Sequence, residues 1–391
     1  MITREALMVL ENQLTFAKRV NREFDEKFGV DGAKIGDSVR VRKPTRYVGR
    51  SGTALSVEDA TEDYSTVTLN TQFGVDVNFT SKELTLSIDD FSKRILRPAI
   101  STIANKIDYD GLQLYKDLYW SAGTPGTATT FAQYLGAGTL LSDAAAPVDD
   151  RNMVVDPRSQ AEIVDSLKGL FQSSSEIKRQ YEKGQMGTTG GFDWYMDQNL
   201  AKHTVGPLGG TPLVNGASQT GASLVTDGWT AAAAARLNRG DVFTIASVYS
   251  VNPQNRQTTG ALQQFVVTAN VSSDGSGNAT IPISPSIIVS GALQTVTGSP
   301  ADNAALTVVG TASTAYSQGI AFHPDFATLA TADLLVPKGV DMAGRMSDKQ
   351  LGLSIRLVRQ YDINNDKFPC RLDVLYGWKT LRPELAARVW R

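Results

Sequence analysis

The residue types that carry most enzymatic chemistry are scarce in this sequence. Histidine, the usual proton shuttle near neutral pH and a common metal ligand, occurs only as His203 and His323, and neither stands at ligand spacing from a second one. The single cysteine, Cys370, follows Pro369 and reads as a small buried apolar residue. Alone it forms neither an intrachain disulfide nor a zinc site, which suits a reducing compartment. No Gly-Lys dipeptide occurs, so the phosphate-cradling loop that ends in Gly-Lys-Ser/Thr is absent, as is the Gly-x-Ser-x-Gly nucleophile turn. Gly206-Pro207-Leu208-Gly209-Gly210 lacks the dinucleotide-binding pattern. Asp362-Ile363-Asn364-Asn365-Asp366 imitates the start of a calcium loop, but Lys367 stands where glycine is required and Asp373 replaces the closing glutamate; it reads as a polar connection between strands. The carboxylate pairs Asp89-Asp90, Asp108 with Asp110 and Asp149-Asp150 could hold Mg²⁺ or serve glycoside hydrolysis, and equally well cap helices or face water. Trp194, Trp229, Trp378 and Trp390 form no stripe with interleaved basic residues, so base stacking does not explain them. No catalytic residue, metal or cofactor is expected.

Charge gives a second exclusion. The balance is 38 lysine and arginine against 40 aspartate and glutamate, a formal charge of −2, so no cationic field draws the chain to phosphate backbones. One local asymmetry stands out. Arg40, Arg42, Lys43, Arg46 and Arg50 form a basic run, and Glu58, Asp59, Glu62 and Asp63 follow as an acidic one. Opposed runs of this kind read either as solvated surface or as charge matching between subunits. The N-terminus lacks a secretory pattern and no apolar run approaches the roughly 20 residues of a membrane span, so a soluble intracellular chain is expected.

The elements that would position these residues fall in a definite order, and 391 residues suit roughly two or three domains. Ala6, Leu7, Leu10, Leu14, Ala17, Val20, Phe24 and Phe28 predict an amphipathic helix over residues 3–28, its stripe lying on this subunit or on a neighbour. Alternation at Val39-Arg40-Val41-Arg42 and again from Val75 to Thr80, with turns at Gly49, Gly52 and Gly74, predicts a long two-stranded excursion. Such a ribbon is marginal alone and must pack on something else. Ser87 can cap a long helix running through Ile88, Phe91, Ile95, Ala99, Ile103, Ile107, Leu114 and Leu118 to about Trp120, kinked at Pro98. A mixed stretch follows, with helices over Gln160 to Phe171 and Ser174 to Glu182 and a strand at Met153-Val154-Val155. From Gly206 to Thr314 there is no lysine and no glutamate, and short β-type runs recur at Val242–Ile245, Gln264–Thr268, Ala279–Ile283, Ile287–Val289 and Ala305–Val309. This predicts an inserted all-β barrel or sandwich. The last segment reads as a helix over Pro324–Leu335 and strands over Leu351–Tyr361 and Arg371–Lys379, with almost no tail after Arg382-Pro383-Glu384.

Three strings carry a resemblance. Phe79-Thr80-Ser81-Lys82-Glu83-Leu84 runs into Ile88-Asp89-Asp90-Phe91; Arg239-Gly240-Asp241-Val242-Phe243-Thr244-Ile245 precedes Val251-Asn252-Pro253 and Ile281-Pro282-Ile283-Ser284-Pro285; Val374-Leu375-Tyr376-Gly377-Trp378-Lys379 precedes Leu381-Arg382-Pro383-Glu384. With the element order, these strings resemble the major capsid proteins of tailed double-stranded DNA bacteriophages, the Hong Kong 97 fold, and within it the coat-protein family of the Salmonella short-tailed phage P-22. The resemblance implies an α+β fold laid out as an N-terminal arm (1–38), an extended β-hairpin loop (39–84), a peripheral domain with the spine helix (85–125), an axial domain in two parts (126–205 and 315–362), an inserted β-barrel (206–314) and a closing peripheral strand (363–391). It implies a coat subunit that self-assembles into hexamers and pentamers of an icosahedral shell, with a scaffolding protein and a portal as partners. Such a shell encloses DNA without specific binding, touches no membrane, and is made in the bacterial host cytoplasm. Arg40, Arg42, Lys43, Arg46, Arg50, Glu58, Asp59, Glu62 and Asp63 are then the candidate intersubunit contacts. Two other readings stand beside it: an encapsulin-like nanocompartment shell of the same fold, and a carboxylate-based hydrolase in which one acid pair converges in a cleft.

Overall fold

The computed structural model describes residues 10, 14–22, 38–49, 52, 53, 57, 64–80, 97–167, 187–348 and 353–391. They divide into two compact units. The first draws on Met1–Lys43, Tyr64–Leu112 and Ala327–Leu381, the second on Pro44–Asp63, Gln113–Phe326 and Arg382–Arg391.

The first unit is organised by one long strand, Lys367–Thr380. Its Cys370, Leu372, Val374 and Tyr376 are all buried, the period of two that turns alternate side chains to one face. Along one edge it pairs antiparallel with Thr71–Thr80. Along the other it pairs with Leu353–Arg359 and then with Ala327–Ala332, and Met342–Asp348 lies outside Leu353–Arg359. A separate ribbon joins Ser38–Arg42 to Tyr64–Thr68. Helix α1 (Arg97–Leu112) buries Ile100, Ile103, Ala104 and Ile107, spaced three and four apart as one helical face requires. Trp378 Nε1 donates to the Ile107 carbonyl at 3.2 Å. Gly111 fits against the Trp378 and Phe16 rings, where a Cβ would stand 2.6 and 2.8 Å from ring carbons.

Four sequence expectations are corrected in this unit. The hairpin returns through Tyr64–Thr68, while Val75 to Thr80 belongs to a strand paired with Lys367–Thr380. Gly74 is therefore no turn: it lies inside that strand, where a Cβ would meet the Leu372 carbonyl oxygen at 2.5 Å. The helix expected over residues 3–28 is not what residues 14–22 form, which is a 3₁₀ turn at Ala17–Arg19 and a bridge from Asn21 to Thr328. The cause is competition for backbone donors, because the Asp108 carboxylate takes the Thr15 and Ala17 amides at 2.6 and 2.8 Å. The buried Leu14, Phe16, Ala17 and Val20 thus lie within their own unit; Phe24 and Phe28 are outside the described residues. Lastly, Ala327–Ala332 is a strand, not a helix, preceded only by a 3₁₀ turn at Pro324–Phe326. Thr328 and Thr331 favour extended backbone, and all six residues are buried on both faces.

The second unit holds a seven-stranded mixed sheet ordered Trp120–Ala122, Ala386–Trp390, Ala315–Phe322, Asn152–Val155, Phe192–Met196 and Thr188–Thr189, with Lys202–Thr204 paired to the start of Ala315–Phe322. The helix expected to run to Trp120 ends as α-helix at Leu112, tightens into a 3₁₀ turn over Gln113–Asp117, and gives way to strand at Trp120; the Ser87 to Leu96 part lies outside the described residues. Helix α2 (Phe131–Asp143) opens with the Thr130 amide on Gln133 Oε1 at 3.1 Å. Helix α3 (Pro157–Leu167) starts three residues before the expected Gln160, with Pro157 in the first turn and Asp156 accepting the Ser159 amide at 2.9 Å. The expected Ser174–Glu182 helix is outside the described residues.

The lysine-free stretch forms a barrel. Its six-stranded sheet runs Leu306–Val308, Val242–Val251, Thr258–Val267, Ala279–Ile287, Gly221–Trp229, Gly210–Val214. It closes where the Val214 amide donates to the Ala304 carbonyl at 3.0 Å and the Asn303 amide to the Val214 carbonyl at 2.9 Å. Leu224, Trp229, Phe243, Ile245, Phe265, Val267, Ile281 and Ile283 fill the interior. Of the expected run Ile287–Val289 only Ile287 is in a strand, and the strands Gly210–Val214 and Gly221–Trp229 were not apparent in the residue pattern.

Candidate assembly surface and barrel-docking seam

On the ribbon, Val41 packs against Val67, Leu69, Ala330 and Ala332 while Arg40 and Arg42 are exposed. The alternation that predicted a strand therefore also turns its arginines outward. The Arg40 guanidinium lies 4.9 Å above the Tyr64 ring. Arg46 behaves differently: within the second unit it bonds Glu384 at 2.9 Å, and Glu384 also accepts Arg382 Nε at 3.2 Å. Arg50, Glu58, Asp59, Glu62 and Asp63 lie outside the described residues.

The acids that could have done chemistry have structural work. Asp108 holds the two amides named above. Asp110 accepts the Tyr376 hydroxyl at 2.6 Å and pairs with Lys106; burial and Asp110 together push the Tyr376 hydroxyl well above its ordinary value. Asp149 and Asp150 are exposed, and the Asp150 carbonyl accepts Asn152 Nδ2 at 2.8 Å. His323 Nδ1 takes the Asp325 amide at 3.3 Å, capping the 3₁₀ turn, and burial pushes the Cys370 thiol up. Asp362 organises the connection before Lys367 by accepting the Asn364 amide at 3.0 Å. Among the described residues, no three acids, histidines or cysteines group as metal ligands, and no helix is long and apolar enough to cross a membrane.

The most built polar site is one that sequence reasoning missed, the seam where the barrel meets the sheet of the second unit. Asp241, fully buried, accepts His203 Nε2 at 2.7 Å, the Gly206 amide at 3.1 Å and the Asn238 amide at 2.8 Å. Tyr115 reaches His203 Nδ1 at 3.2 Å, so the neutral imidazole donates to Asp241 and accepts from Tyr115. Burial lowers the His203 pKa and the Asp241 bond partly opposes it. Gly240 has φ +98, a backbone conformation that L side chains rarely adopt, and a Cβ there would press on Lys116 Cγ at 3.1 Å and His203 Cε1 at 3.2 Å, so a side chain at this position is strained. Arg239 completes the Arg239-Gly240-Asp241 string with an ion pair to Asp117 at 2.7 Å.

A second contact is made by one amide. Ser121 lies on the edge strand Trp120–Ala122; its N–H donates to Gln264 Oε1 at 2.5 Å and its carbonyl accepts Gln264 Nε2 at 3.0 Å. A barrel side chain thereby takes the place of a neighbouring strand. Asn252 Nδ2 donates to the Asp143 carbonyl at 3.0 Å. Beneath the seam runs Ala386–Trp390, buried at every position, a separate strand that the residue pattern after Glu384 does not announce. Arg391 pins it with paired bonds of 3.0 and 2.8 Å to Glu162, which, with the Thr129 bonds, hold that carboxyl down to about 2.

No curated protein matches the chain. Its fold is similar to a chain of Mycobacterium phage Che8, at 12% identity and TM-score 0.48 over 96% of this chain and 90% of that one. It is likewise similar to the capsid of Ralstonia phage GP4, at 8% identity and TM-score 0.49 over 96% and 90%. The family model described as P22 coat protein, gene protein 5, matches residues 1–388. Since that match takes in the ribbon, both sheets, the barrel and the seam between barrel and sheet, the chain belongs to the P22 coat protein family: it is a tailed-phage major capsid protein of the Hong Kong 97 fold, a structural subunit of the shell.

Proposed function

We propose that the chain assembles into hexamers and pentamers of an icosahedral shell that encloses the phage genome, built in the host cytoplasm around a scaffolding protein with a portal at one vertex, and that it carries no catalytic activity. The observation that carries this reading is the family match along residues 1–388. In this reading the domains are those the resemblance implies, arm 1–38, extended loop 39–84, peripheral segments 85–125 and 363–391, axial segments 126–205 and 315–362, and inserted barrel 206–314, except that Ala327–Ala332 and Leu353–Arg359 share a sheet with Lys367–Thr380 while Trp120–Ala122 and Ala386–Trp390 share one with Asn152–Val155. Shell subunits that serve two ring sizes need weak, repeated contacts, and the exposed Arg40 and Arg42, with Lys43 and Arg50, supply one half of such a contact. Glu58, Asp59, Glu62 and Asp63 supply the other half on an adjacent copy. Arg46 takes a smaller part, because Glu384 of its own chain already engages it. A near-neutral chain leaves packaged DNA free to slide.

The test is a charge swap. Arg40→Glu with Arg42→Glu is expected to abolish shells while leaving the subunit folded, and adding Glu58→Arg with Glu62→Arg is expected to restore them. Normal shells from the first pair alone would remove the basic run from the interface. Shells packed with an enzyme and free of DNA would point to the nanocompartment reading.

A further inference from the structure

Arg388 is fully buried, and none of its three guanidinium nitrogens has a hydrogen-bond partner among the described residues. A guanidinium is always charged and carries five N–H donors in one plane; a buried charge left without acceptors is a severe cost. Strand register places the residue. Arg388 sits opposite Ile320 on one side and Ser121 on the other, and two residues on, Trp390 sits opposite Gln318. Paired residues share a face, and on this face Trp390 also stacks edge-on against His203, with centroids 5.7 Å apart. Arg388 therefore points to the side of the sheet that the barrel covers. Its guanidinium carbon lies 4.7 Å from the Trp390 ring centroid, so the indole satisfies the flat face of the cation and leaves the in-plane donors open.

Local charge is unbalanced. Asp241 is the acid that acts on Arg388, but its oxygens already accept His203, Gly206 and Asn238. Lys116 adds a second positive charge, and both cations act on His203 in the same direction. Burial pulls Arg388 itself down to about 9. The surroundings are thus rich in donors and net positive. Among the described residues, the unpartnered acceptor on the same face is Gln318 Oε1, which makes a buried water the competing guest.

We propose that the in-plane donors of Arg388 bind a small inorganic anion of halide size, sealed beneath the barrel turn Arg239-Gly240-Asp241, and that this ion helps fix the barrel on the sheet. Two measurements decide it. In urea melts of unassembled subunits in sodium bromide or sodium gluconate at equal ionic strength, the folded-to-unfolded ratio should rise about tenfold per tenfold increase in halide above its dissociation constant. Arg388→Met should abolish that dependence and leave only general salt effects. The second measurement needs no variant: electron-microscopy maps of wild-type shells prepared in the two salts should show a feature at hydrogen-bonding distance from the guanidinium that is stronger in bromide. A feature of equal strength in both salts would mark a water, and that result, or a halide dependence that Arg388→Met retains, would overturn the anion site.

Discussion

Replacing Asp241 tests the seam where its bonds converge. In Asp241→Ala two buried donors, His203 Nε2 and the Gly206 amide, and a half-buried one, the Asn238 amide, lose their acceptor together. Each orphaned buried donor costs ~1–3 kcal/mol, and partial recovery by water brings the sum to about 3–5 kcal/mol, at the upper end for a single substitution. Arg388 also loses the acid that offsets it, which acts in the same direction. Asp241→Asn keeps one oxygen but turns an NH₂ toward a donor, so it should lie between wild type and alanine, at about 2 kcal/mol. The assay is urea unfolding of subunits kept too dilute to assemble, followed by tryptophan fluorescence. Trp390 reports on the seam because it packs against His203, and Trp229 reports on the barrel core. A double-mutant cycle with His203→Ala isolates the pair, since residues in direct contact couple where distant ones add. A cost below about 1 kcal/mol for Asp241→Ala, or simple additivity with His203→Ala, would refute the claim that this carboxylate organises the seam.

Two further outcomes follow from the geometry. Gly377→Ala places a Cβ 2.1 Å from the Thr68 carbonyl oxygen and 3.1 Å from Leu69 Cα, contacts with backbone that cannot swing aside, so a loss of about 3 kcal/mol or more is expected in thermal melts, and an unchanged melting temperature would contradict the packing described. Acid should act in two windows: the His203 pKa is depressed by burial, so its contribution is full above its unfolded pKa of about 6.5 and is lost as pH falls below that, whereas Glu162, held at about 2 mainly by Arg391, contributes fully above about 4.5 and loses its share between there and about 2. Stability followed against pH should lose the upper step in His203→Gln and the lower one in Glu162→Gln; steps that persist in these variants would assign them to other groups.

How much of this was legible in the residues depends on how local each cause is. The barrel strands at Val242–Val251 and Thr258–Val267 showed through because alternation and composition are local signals. Ala327–Ala332 and Ala386–Trp390 did not, since strands buried on both faces carry no alternation. Residues 14–22 read as helix by spacing, and a carboxylate more than 90 positions away takes their amides instead. Arg239-Gly240-Asp241 was visible as a family-like string, but its role needs His203 and Asp117, which only the fold brings to it. Arg388 gave no warning, because arginine as a type belongs to the surface. The basic run at Arg40 and Arg42 was legible for the opposite reason, since its exposure follows from the same alternation that makes the strand.

The central claim is that this chain builds a shell from copies of itself. Purified protein followed by electron microscopy and light scattering across a dilution series should show closed icosahedral particles forming above a threshold concentration, with hexameric and pentameric clusters in their surface. Monomers alone at every concentration, with and without a scaffolding protein, would contradict it.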